Sequence, residues 1–336
     1  EVRSSPFLDM PSNYFISVVR FSISTESIPS FIPQIKIGSA NINETIYKIG
    51  ATSNIPVQPT YPWEYVEYEP QDNTATLPVL PTTSQDNSNT YYHVYNNEWF
   101  IHLLNIKLED IFSNYVPGPT YVIEVPFFEF DKPTGRISFH FPESFLQDEI
   151  LPTTYTLVIN APLYKLLNGF TMTKHIEDPT ISGIYPYWTL FIPKNPKEST
   201  IKTGYYMIES DVSTNSSFNP VQSLVFTTNL IPVSKTNVSP AKLYNSRSRL
   251  EQNSTTDDLF PILTDFEVPV TGTNIYAPSV YYEPSGEYRL IDLIGNNPVS
   301  SININVFWKD FYGNINPLTL MSGGTANLKL MFRRKD

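Results

Sequence analysis

The sequence predicts an all-β protein of the β-sandwich type, with one main helix near residues 97–114. Tyrosine and phenylalanine are frequent, with 22 and 21 copies, and both residue types favour strands. The 30 prolines are spread along the chain, a distribution that breaks long helices and separates short strands. Runs in which apolar and polar residues alternate recur between turn residues, at the interval typical of sandwiches.

The strand pattern of the first half begins at Tyr14–Ile23, a run of aromatic and β-branched residues. Pro29 and Pro33 follow this run and end it. The same reasoning predicts seven further strands, at Thr45–Ile49, Trp63–Glu69, Thr74–Leu80, Tyr91–Tyr95, Tyr121–Val125, Arg136–Phe141 and Tyr155–Asn160.

The main helix is predicted at Asn97–Asn114. Its apolar residues recur at steps of three and four, as in Trp99, Leu103 and Ile106. Asn96 or Asn97 can cap its first turn, and the cluster Pro117-Gly118-Pro119 ends the segment. A shorter helical turn is expected at Pro162–Leu167.

The second half is predicted to contain strands and one long loop. The loop is Lys235–Asp258, a polar stretch without periodicity that should lie on the surface. The strands are expected at Tyr205–Glu209, Ser223–Ile231, Ile262–Val268, Ser279–Tyr282 and Glu287–Leu293.

The last residues, Ser300 to Asp336, contain two strands with clear alternation. One has Ile302, Ile304, Val306 and Trp308 on a single face, and the other has Ala326, Leu328, Leu330 and Phe332. Tyr312-Gly313-Asn314 provides a turn between them. The pattern predicts that the two strands pair as a hairpin and that Trp308 and Phe332 share one buried core.

The domain organisation follows from roughly sixteen strands, which are enough for two jelly rolls side by side. We expect a first jelly roll at residues 1–178, a Pro-rich connection at 179–200 and a second jelly roll at 201–336. A single roll with large loop insertions also fits, and no internal repeat supports a duplication.

Charge and composition exclude several classes of protein. The net charge of −11 argues against a general nucleic-acid binder, which needs a basic face. The absence of cysteine rules out disulfides and thiolate metal sites. No apolar run reaches the roughly 18 residues that span a bilayer. Only 16% of residues are charged, which fits either a surface covered by neighbouring subunits or one that is polar without charge.

No residue set points to catalysis. The four histidines are not at metal-ligand spacing, and no phosphate-binding loop or nucleophile motif is present. The acidic clusters lack a defined partner carboxylate for glycosidase chemistry. We therefore expect no enzyme, no catalytic, cofactor-binding or metal residues, no cofactor and no small-molecule substrate. The residues considered are His93, His102, His140, His175, Glu64, Glu67, Glu69, Asp257, Asp258, Asp265 and Glu267.

Two surface features suggest binding. The aromatic residues Tyr61, Trp63, Tyr65 and Tyr68 could stack on sugar rings, although aromatic side chains more often fill cores and interfaces. A β-sandwich receptor- or carbohydrate-binding protein is therefore the alternative function. The basic tip Arg333–Lys335 is either a solvated terminus or a contact for nucleic acid, a membrane or a neighbouring subunit.

Several runs resemble jelly-roll capsid proteins of small tailless icosahedral viruses, most of all the double jelly-roll major capsid protein family. They are PSNYFISVVRFSI near the start, SLVFTTNLIPV (223–233), LFPILTDFEV (259–268), EPSGEYRLIDL (283–293), NVFWKDFYGNINPLTL (305–320) and the final LKLMFRRK.

The resemblance implies a viral structural protein of the virion. It would self-assemble into an icosahedral shell as a homotrimer, together with other capsid proteins, and would carry no catalytic residues. A helix matching Asn97–Asn114 is not evident in the second half, so a single-roll penton or minor capsid protein is an open alternative.

Overall fold

We describe the fold from a computed structural model of the chain. The structure describes residues 5–53, 63–71, 73–114, 124–146, 155–176, 186–234, 238–240, 259–268, 279–283, 289–311 and 313–336. The three α-helices in this part of the chain are α1 (Asn97–Asn114), α2 (Ala161–Leu166) and α3 (Asn215–Phe218). The strands are β1 (Tyr14–Ser24), β2 (Glu44–Ser53), β3 (Trp63–Glu67), β4 (Phe127–Asp131), β5 (Arg136–Pro142), β6 (Tyr155–Asn160), β7 (Met172–His175), β8 (Tyr187–Leu190), β9 (Lys197–Glu198), β10 (Tyr205–Glu209), β11 (Ser223–Thr227), β12 (Val238–Pro240), β13 (Leu259–Glu267), β14 (Ser279–Tyr282), β15 (Ile291–Asp292), β16 (Asn305–Lys309), β17 (Ile315–Pro317) and β18 (Ala326–Arg334).

The chain forms two compact units that are not consecutive in sequence. The terminal unit comprises residues 1–30, 86–90 and 219–336, and the inserted unit comprises residues 31–85 and 91–218. This division differs from the expected one at 1–178 and 201–336, because β1 pairs with β18 at the other end of the chain. The described part of the expected connection, residues 186–200, forms β8 and β9 within the inserted unit.

The terminal unit is a sandwich of two antiparallel sheets. In one sheet β18 pairs along the length of β1, while β14 and β15 pair with the two ends of β1. The other sheet has the order β12-β13-β11-β16-β17. Phe21 of the first sheet meets Phe226 of the second, with ring centroids 4.6 Å apart. This edge-to-face contact lies in the core between the two sheets.

The inserted unit has two further antiparallel sheets, ordered β3-β2-β6-β8-β7 and β4-β5-β10-β9. Alternate residues of β5, such as Phe139 and Phe141, point into a core that the buried face of α1 also enters. Asn160 ends β6 and caps α2, because its side-chain oxygen accepts from the amides of Leu163 (3.2 Å) and Lys48 (3.0 Å).

The helix predictions are confirmed. α1 occupies the predicted residues Asn97–Asn114, and α2 differs from its prediction by one residue at each end. The cap of α1 is Asn96, whose side-chain oxygen accepts from the amide of Glu98 at 3.1 Å. The prolines 117 and 119 lie outside the described residues.

The predicted final hairpin is wrong. β16 pairs with β11 and β17, and β18 pairs with β1, so the two strands belong to different sheets. Trp308 is buried as predicted, whereas Phe332 is only half-buried. Alternation identifies the face that a strand buries, but it does not identify the neighbour with which the strand pairs.

Other predicted elements also need correction. Thr74–Leu80 contains no strand, and Tyr91–Tyr95 contains a 3-10 turn at Thr90–Tyr92 with one bridge at Val94. Within the predicted loop Lys235–Asp258, Val238–Pro240 pairs with β13, and the remaining residues lie outside the described part. Residues 121–123 of one predicted strand and 287–288 of another also lie outside it.

Candidate assembly surface

The edge strand β18 is a candidate surface for contact with a neighbouring subunit. Among the described residues it pairs only with β1, so its other edge presents backbone groups that a further strand could bind. Its nine residues include no proline and no glycine that would interrupt such pairing. A strand of this length with one open edge is suited to pairing between chains.

The side chains of β18 are less buried than those of the strand beside it. Ile16 and Val18 of β1 are buried, whereas their partners Phe332 and Leu330 are half-buried. Leu328 and Met331 are half-buried as well. The edge of the terminal unit therefore carries apolar area that a neighbouring subunit could cover.

The basic tip follows β18 directly. Lys335 bonds within the unit, to the carboxylate of Asp292 at 2.9 Å and to the carbonyl of Ser12 at 2.8 Å. Arg333 and Arg334 are exposed, and neither has an ion-pair partner in the described residues. Two cationic groups thus remain available at the end of the open edge.

The inserted unit exposes a separate apolar segment. Leu77 and Val79 are 69% and 71% exposed, and Leu80 is also exposed. The amide of Gly38 binds the carbonyl of Pro81 at 3.1 Å, which places exposed Ile37 at the end of this segment. Exposed apolar side chains that are contiguous are typical of interaction surfaces.

The predicted sugar-binding aromatic residues are already engaged. Tyr65 has the ammonium groups of Lys36 and Lys48 over its ring, at 4.0 and 4.2 Å from the centroid. Tyr68 is buried and donates its hydroxyl to the carbonyl of Tyr91 at 2.6 Å. Burial raises the pKa of Tyr68, and it raises the pKa of the neighbouring Tyr92 to about 12. Tyr61 lies outside the described residues.

The acidic clusters are also paired or solvated. Glu64 binds Lys107 at 3.1 Å beside an open pocket of about 290 Å³, and Glu67 and Trp63 contribute to the same pocket. Asp265 is exposed and binds Arg289 at 3.0 Å, while Glu267 is exposed. Asp257 and Asp258 lie outside the described residues. Glu64 and Glu67 thus line one pocket, in which Glu64 is already paired with Lys107, and Asp265 is paired with Arg289.

The four histidines lie in four different surroundings. His93 lies beside Tyr95, His102 beside Trp99, and His175 is stacked on Tyr187 at 4.7 Å. His140 is buried in β5. In the described part of the chain, no three His, Asp or Glu side chains could hold a metal ion. No helix there is long and apolar enough to cross a membrane.

A comparison with protein families identifies the lineage of this chain. The family model described as Sputnik minor capsid protein V18/19 matches residues 1–334. The chain belongs to this family. The family consists of minor capsid proteins. A minor capsid protein was the alternative that the sequence left open beside a major capsid protein.

Two relatives come from the Sputnik virophage. "Uncharacterized protein V18" is 35% identical over 131 residues, which cover 37% of this chain and 75% of that protein. "Structural protein V19" is 24% identical over 218 residues, which cover 62% of this chain and 94% of that protein.

Solved structures show the same fold. A chain of the Sputnik virophage structure, determined by cryo-electron microscopy, matches 99% of this chain and 91% of its own length with a TM-score of 0.75 and 24% identity. The mavirus penton protein crystal structure matches 99% and 90% with a TM-score of 0.64 and 17% identity. The all-β jelly-roll prediction is confirmed.

The V18/19 family membership also confirms the predicted function at the level of class. The chain is a viral structural protein, a capsid subunit, and it is located in the virion. The predicted resemblance to jelly-roll capsid proteins is likewise confirmed.

Sequence reasoning missed the two surfaces described above. The open edge of β18 depends on pairing with β1, which no local pattern encodes. The segment Leu77–Leu80 contains Pro78 and is followed by Pro81, and these two prolines were the available sign that it is not a sheet strand.

Proposed function

We propose that this chain is a penton-type minor capsid subunit, which associates with copies of itself and with other capsid proteins in an icosahedral shell. The observation that carries the proposal is its structural likeness to the mavirus penton protein over 99% of the chain. A penton occupies the five-fold vertex of an icosahedral shell, so the proposed self-assembly is a ring of five. The homotrimer that the sequence favoured is the alternative stoichiometry.

The proposed domain organisation follows the two units. The terminal unit, in which β1 and β18 close one sheet, is proposed to be a single jelly roll, and the inserted unit is an insertion between β1 and β11. A single roll with a large insertion was one of the two organisations that the sequence allowed. The proposed role is structural and includes no enzymatic activity.

The proposed contact between copies is the open edge of β18. Its half-buried apolar side chains would gain burial, and a neighbouring strand would satisfy its outer backbone groups. Arg333 and Arg334 would bind acidic groups of the neighbouring copy, since the chain carries a net charge of −11. Nucleic acid and an anionic membrane are the other acidic partners that this tip could contact.

Mass photometry of the purified chain at micromolar concentration tests the proposal. We expect a discrete mass of five chains that persists at moderate salt, because apolar contacts are weakly screened. The double variant Leu328→Lys and Leu330→Lys should shift the chain to monomers, whereas Val212→Lys, a control at an exposed position of the inserted unit, should not. A mass of three chains would replace the ring of five by the homotrimer, and a stable monomer across salt and pH would overturn both.

The arginine contact needs its own measurement. The double variant Arg333→Glu and Arg334→Glu should weaken the oligomer, and this effect should diminish as salt increases. Fluorescence anisotropy with a labelled oligonucleotide and flotation with anionic vesicles distinguish the other partners. One outcome is that the unmodified chain binds the oligonucleotide or the vesicles while the double variant does not. If the oligomer is also unchanged in the double variant, the basic tip contacts that partner and not a neighbouring copy.

A further inference from the structure

The histidine His140 is buried on the side of its sheet that faces away from the aromatic core of the inserted unit. It lies on β5 between β4 and β10 and is 0% exposed. Its neighbours along β5, Phe139 and Phe141, point to the opposite side, into the core. The imidazole is stacked on Phe127, with centroids 4.8 Å apart and planes at 5°. A titratable ring is thus enclosed where sheet residues usually meet solvent.

The hydroxyl of Ser199 contacts this ring and also organises a turn. Ser199 Oγ lies 2.9 Å from His140 Nδ1. The same oxygen accepts from the backbone amides of Ile201 and Lys202, each at 3.2 Å. These residues belong to the exposed connection 199–204 between β9 and β10. One hydroxyl therefore ties an exposed turn to a buried imidazole.

The three contacts of Ser199 fix the direction of its hydrogen bond to the ring. A hydroxyl has two acceptor lone pairs and one hydrogen. The amides of Ile201 and Lys202 occupy both lone pairs, so Ser199 must donate its hydrogen to His140 Nδ1. Nδ1 is therefore an acceptor without a proton, and the neutral ring carries its proton on Nε2.

Charged groups around the ring are unevenly placed. His140 Nε2 lies 3.3 Å from the Glu129 carboxylate on β4, close enough for attraction but not aligned as a hydrogen bond. On β10 the Glu209 carboxylate lies 3.6 Å from the Arg136 guanidinium. On β9 Lys197 pairs with Met207, the residue of β10 that pairs with His140.

In the turn itself, the Lys202 ammonium is held by Tyr205, at 2.6 Å from the hydroxyl and 3.9 Å from the ring centroid. Among the described residues, Glu129 is thus the one that stabilises a charged His140 by direct contact.

We propose that His140 and Ser199 form an acid-sensitive catch that holds the 199–204 turn closed while the imidazole is neutral. A proton from solvent that binds Nδ1 turns this nitrogen into a donor. Ser199 can then keep contact with the ring only by accepting from Nδ1–H, which requires it to release at least one turn amide. Protonation thus breaks at least one of the two hydrogen bonds from the turn amides to Ser199, and no other group needs to react.

The sign of the pH dependence follows from burial. Burial lowers the pKa of His140, and the Glu129 carboxylate opposes this effect in part. The closed state binds the proton more weakly than an opened state, in which the ring has its ordinary pKa of about 6.5. The catch is therefore at full strength above about pH 6.5 and is lost as the pH falls through the lowered pKa. This inference concerns the inserted unit alone and does not depend on the proposed assembly.

Hydrogen exchange of the purified chain tests the catch. After correction for intrinsic rates, the amides of Ile201 and Lys202 should be protected at about pH 7.5, and at least one of them should lose protection at about pH 5. Each unit by which the pKa is lowered corresponds to a change of about tenfold in the opening equilibrium.

In His140→Asn the amide oxygen can still accept from Ser199 but cannot titrate, so protection should not change between the two pH values. His175→Asn is the matched control, because His175 is also stacked on a ring and bonds to a hydroxyl, that of Thr189 at 2.9 Å. It should behave as the unmodified chain.

Two further measurements keep the inference testable if His140→Asn fails to fold. Ser199→Thr retains the hydroxyl and should retain the loss of protection in acid, whereas Ser199→Ala should leave both amides unprotected at neutral pH. Nitrogen-15 spectra of the histidine side chains in the unmodified chain should show that His140 carries its proton on Nε2. A proton on Nδ1 at neutral pH, or an equal acid response in His140→Asn, would overturn the proposal.

Discussion

Ile16 in β1 lies directly opposite Phe332 in β18, so the first and last strands of the chain are neighbours in one sheet. Ile16 is 1% exposed, whereas Phe332 is only half-buried. The same pair therefore joins a residue of the unit's core to a residue of its open edge. The two positions should respond differently to substitution.

We predict that Ile16→Ala destabilises the terminal unit more than Phe332→Ala does, although phenylalanine is the larger side chain. Removing the buried isoleucine leaves a cavity and should cost about 2–5 kcal/mol. Removing the half-buried phenylalanine should cost less, because part of the ring is already in water. Chemical denaturation of the isolated chain measures both values.

In assembly we expect Phe332→Ala to have the larger effect of the two substitutions. Phe332→Ala should weaken the oligomer seen by mass photometry, since its exposed area lies on the edge proposed to contact a neighbour. Equal losses of stability with an unchanged oligomer would show that Phe332 belongs only to the core.

A second prediction concerns Trp308, which is 1% exposed in β16. Trp308→Ala should lower the free energy of unfolding by about 3–5 kcal/mol, because a large buried side chain is lost. Phe311→Ala is the control, since Phe311 lies three residues later and is 61% exposed. It should change stability by less than about 0.5 kcal/mol. If Trp308→Ala were as stable as Phe311→Ala, Trp308 would not be a core residue.

The sequence predicted local elements well and long-range partners poorly. The helix Asn97–Asn114 was predictable because its periodicity and its cap lie within one segment. Trp308 was placed on a buried face by alternation alone. The pairing of β18 with β1 was not predictable, since every apolar strand in the chain is a possible neighbour. The division into two units depends on that pairing and was missed with it.

The candidate surfaces show the same limit. Tyr65 looked available for sugar stacking, but Lys36 and Lys48 cover its ring from other parts of the chain. His140 looked like an isolated histidine, and its contact with Ser199 spans 59 positions in sequence. The basic tip was visible directly, because its charges are consecutive. The features that were predicted correctly lie within one segment, whereas these contacts between distant segments were missed.

A third prediction tests the cap of α2. The side chain of Asn160 accepts from Lys48 and Leu163 and donates to the carbonyl of Ile46 at 2.8 Å. Asn160→Ala leaves these backbone groups without partners and should cost about 1–3 kcal/mol in thermal or chemical unfolding.

Asn195→Ala, at an exposed position of the same unit, is the matched control and should be close to neutral. If both substitutions have the same small effect, the Asn160 side chain does not hold β2 and α2 together.

The last prediction concerns Glu44, which accepts from the Ser39 hydroxyl and binds the Lys36 ammonium at 3.1 Å. Partial burial alone would raise its pKa, but these two partners outweigh burial and lower it. The native state then binds the proton more weakly than the unfolded state. Glu44 therefore contributes stability above the ordinary carboxyl pKa of about 4.3, and this contribution is lost as the pH falls through the lowered value.

Glu44→Gln should remove that part of the pH dependence. Between about pH 6 and about pH 3 the unmodified chain should lose more stability than the variant, because only its carboxylate can be protonated. At neutral pH the variant should be less stable by no more than about 1 kcal/mol, since the ion pair is partly exposed. Glu109→Gln, at an exposed position of α1, is the control and should leave the contribution of Glu44 intact. Parallel pH profiles for Glu44→Gln and the unmodified chain would mean that Ser39 and Lys36 do not stabilise the Glu44 carboxylate.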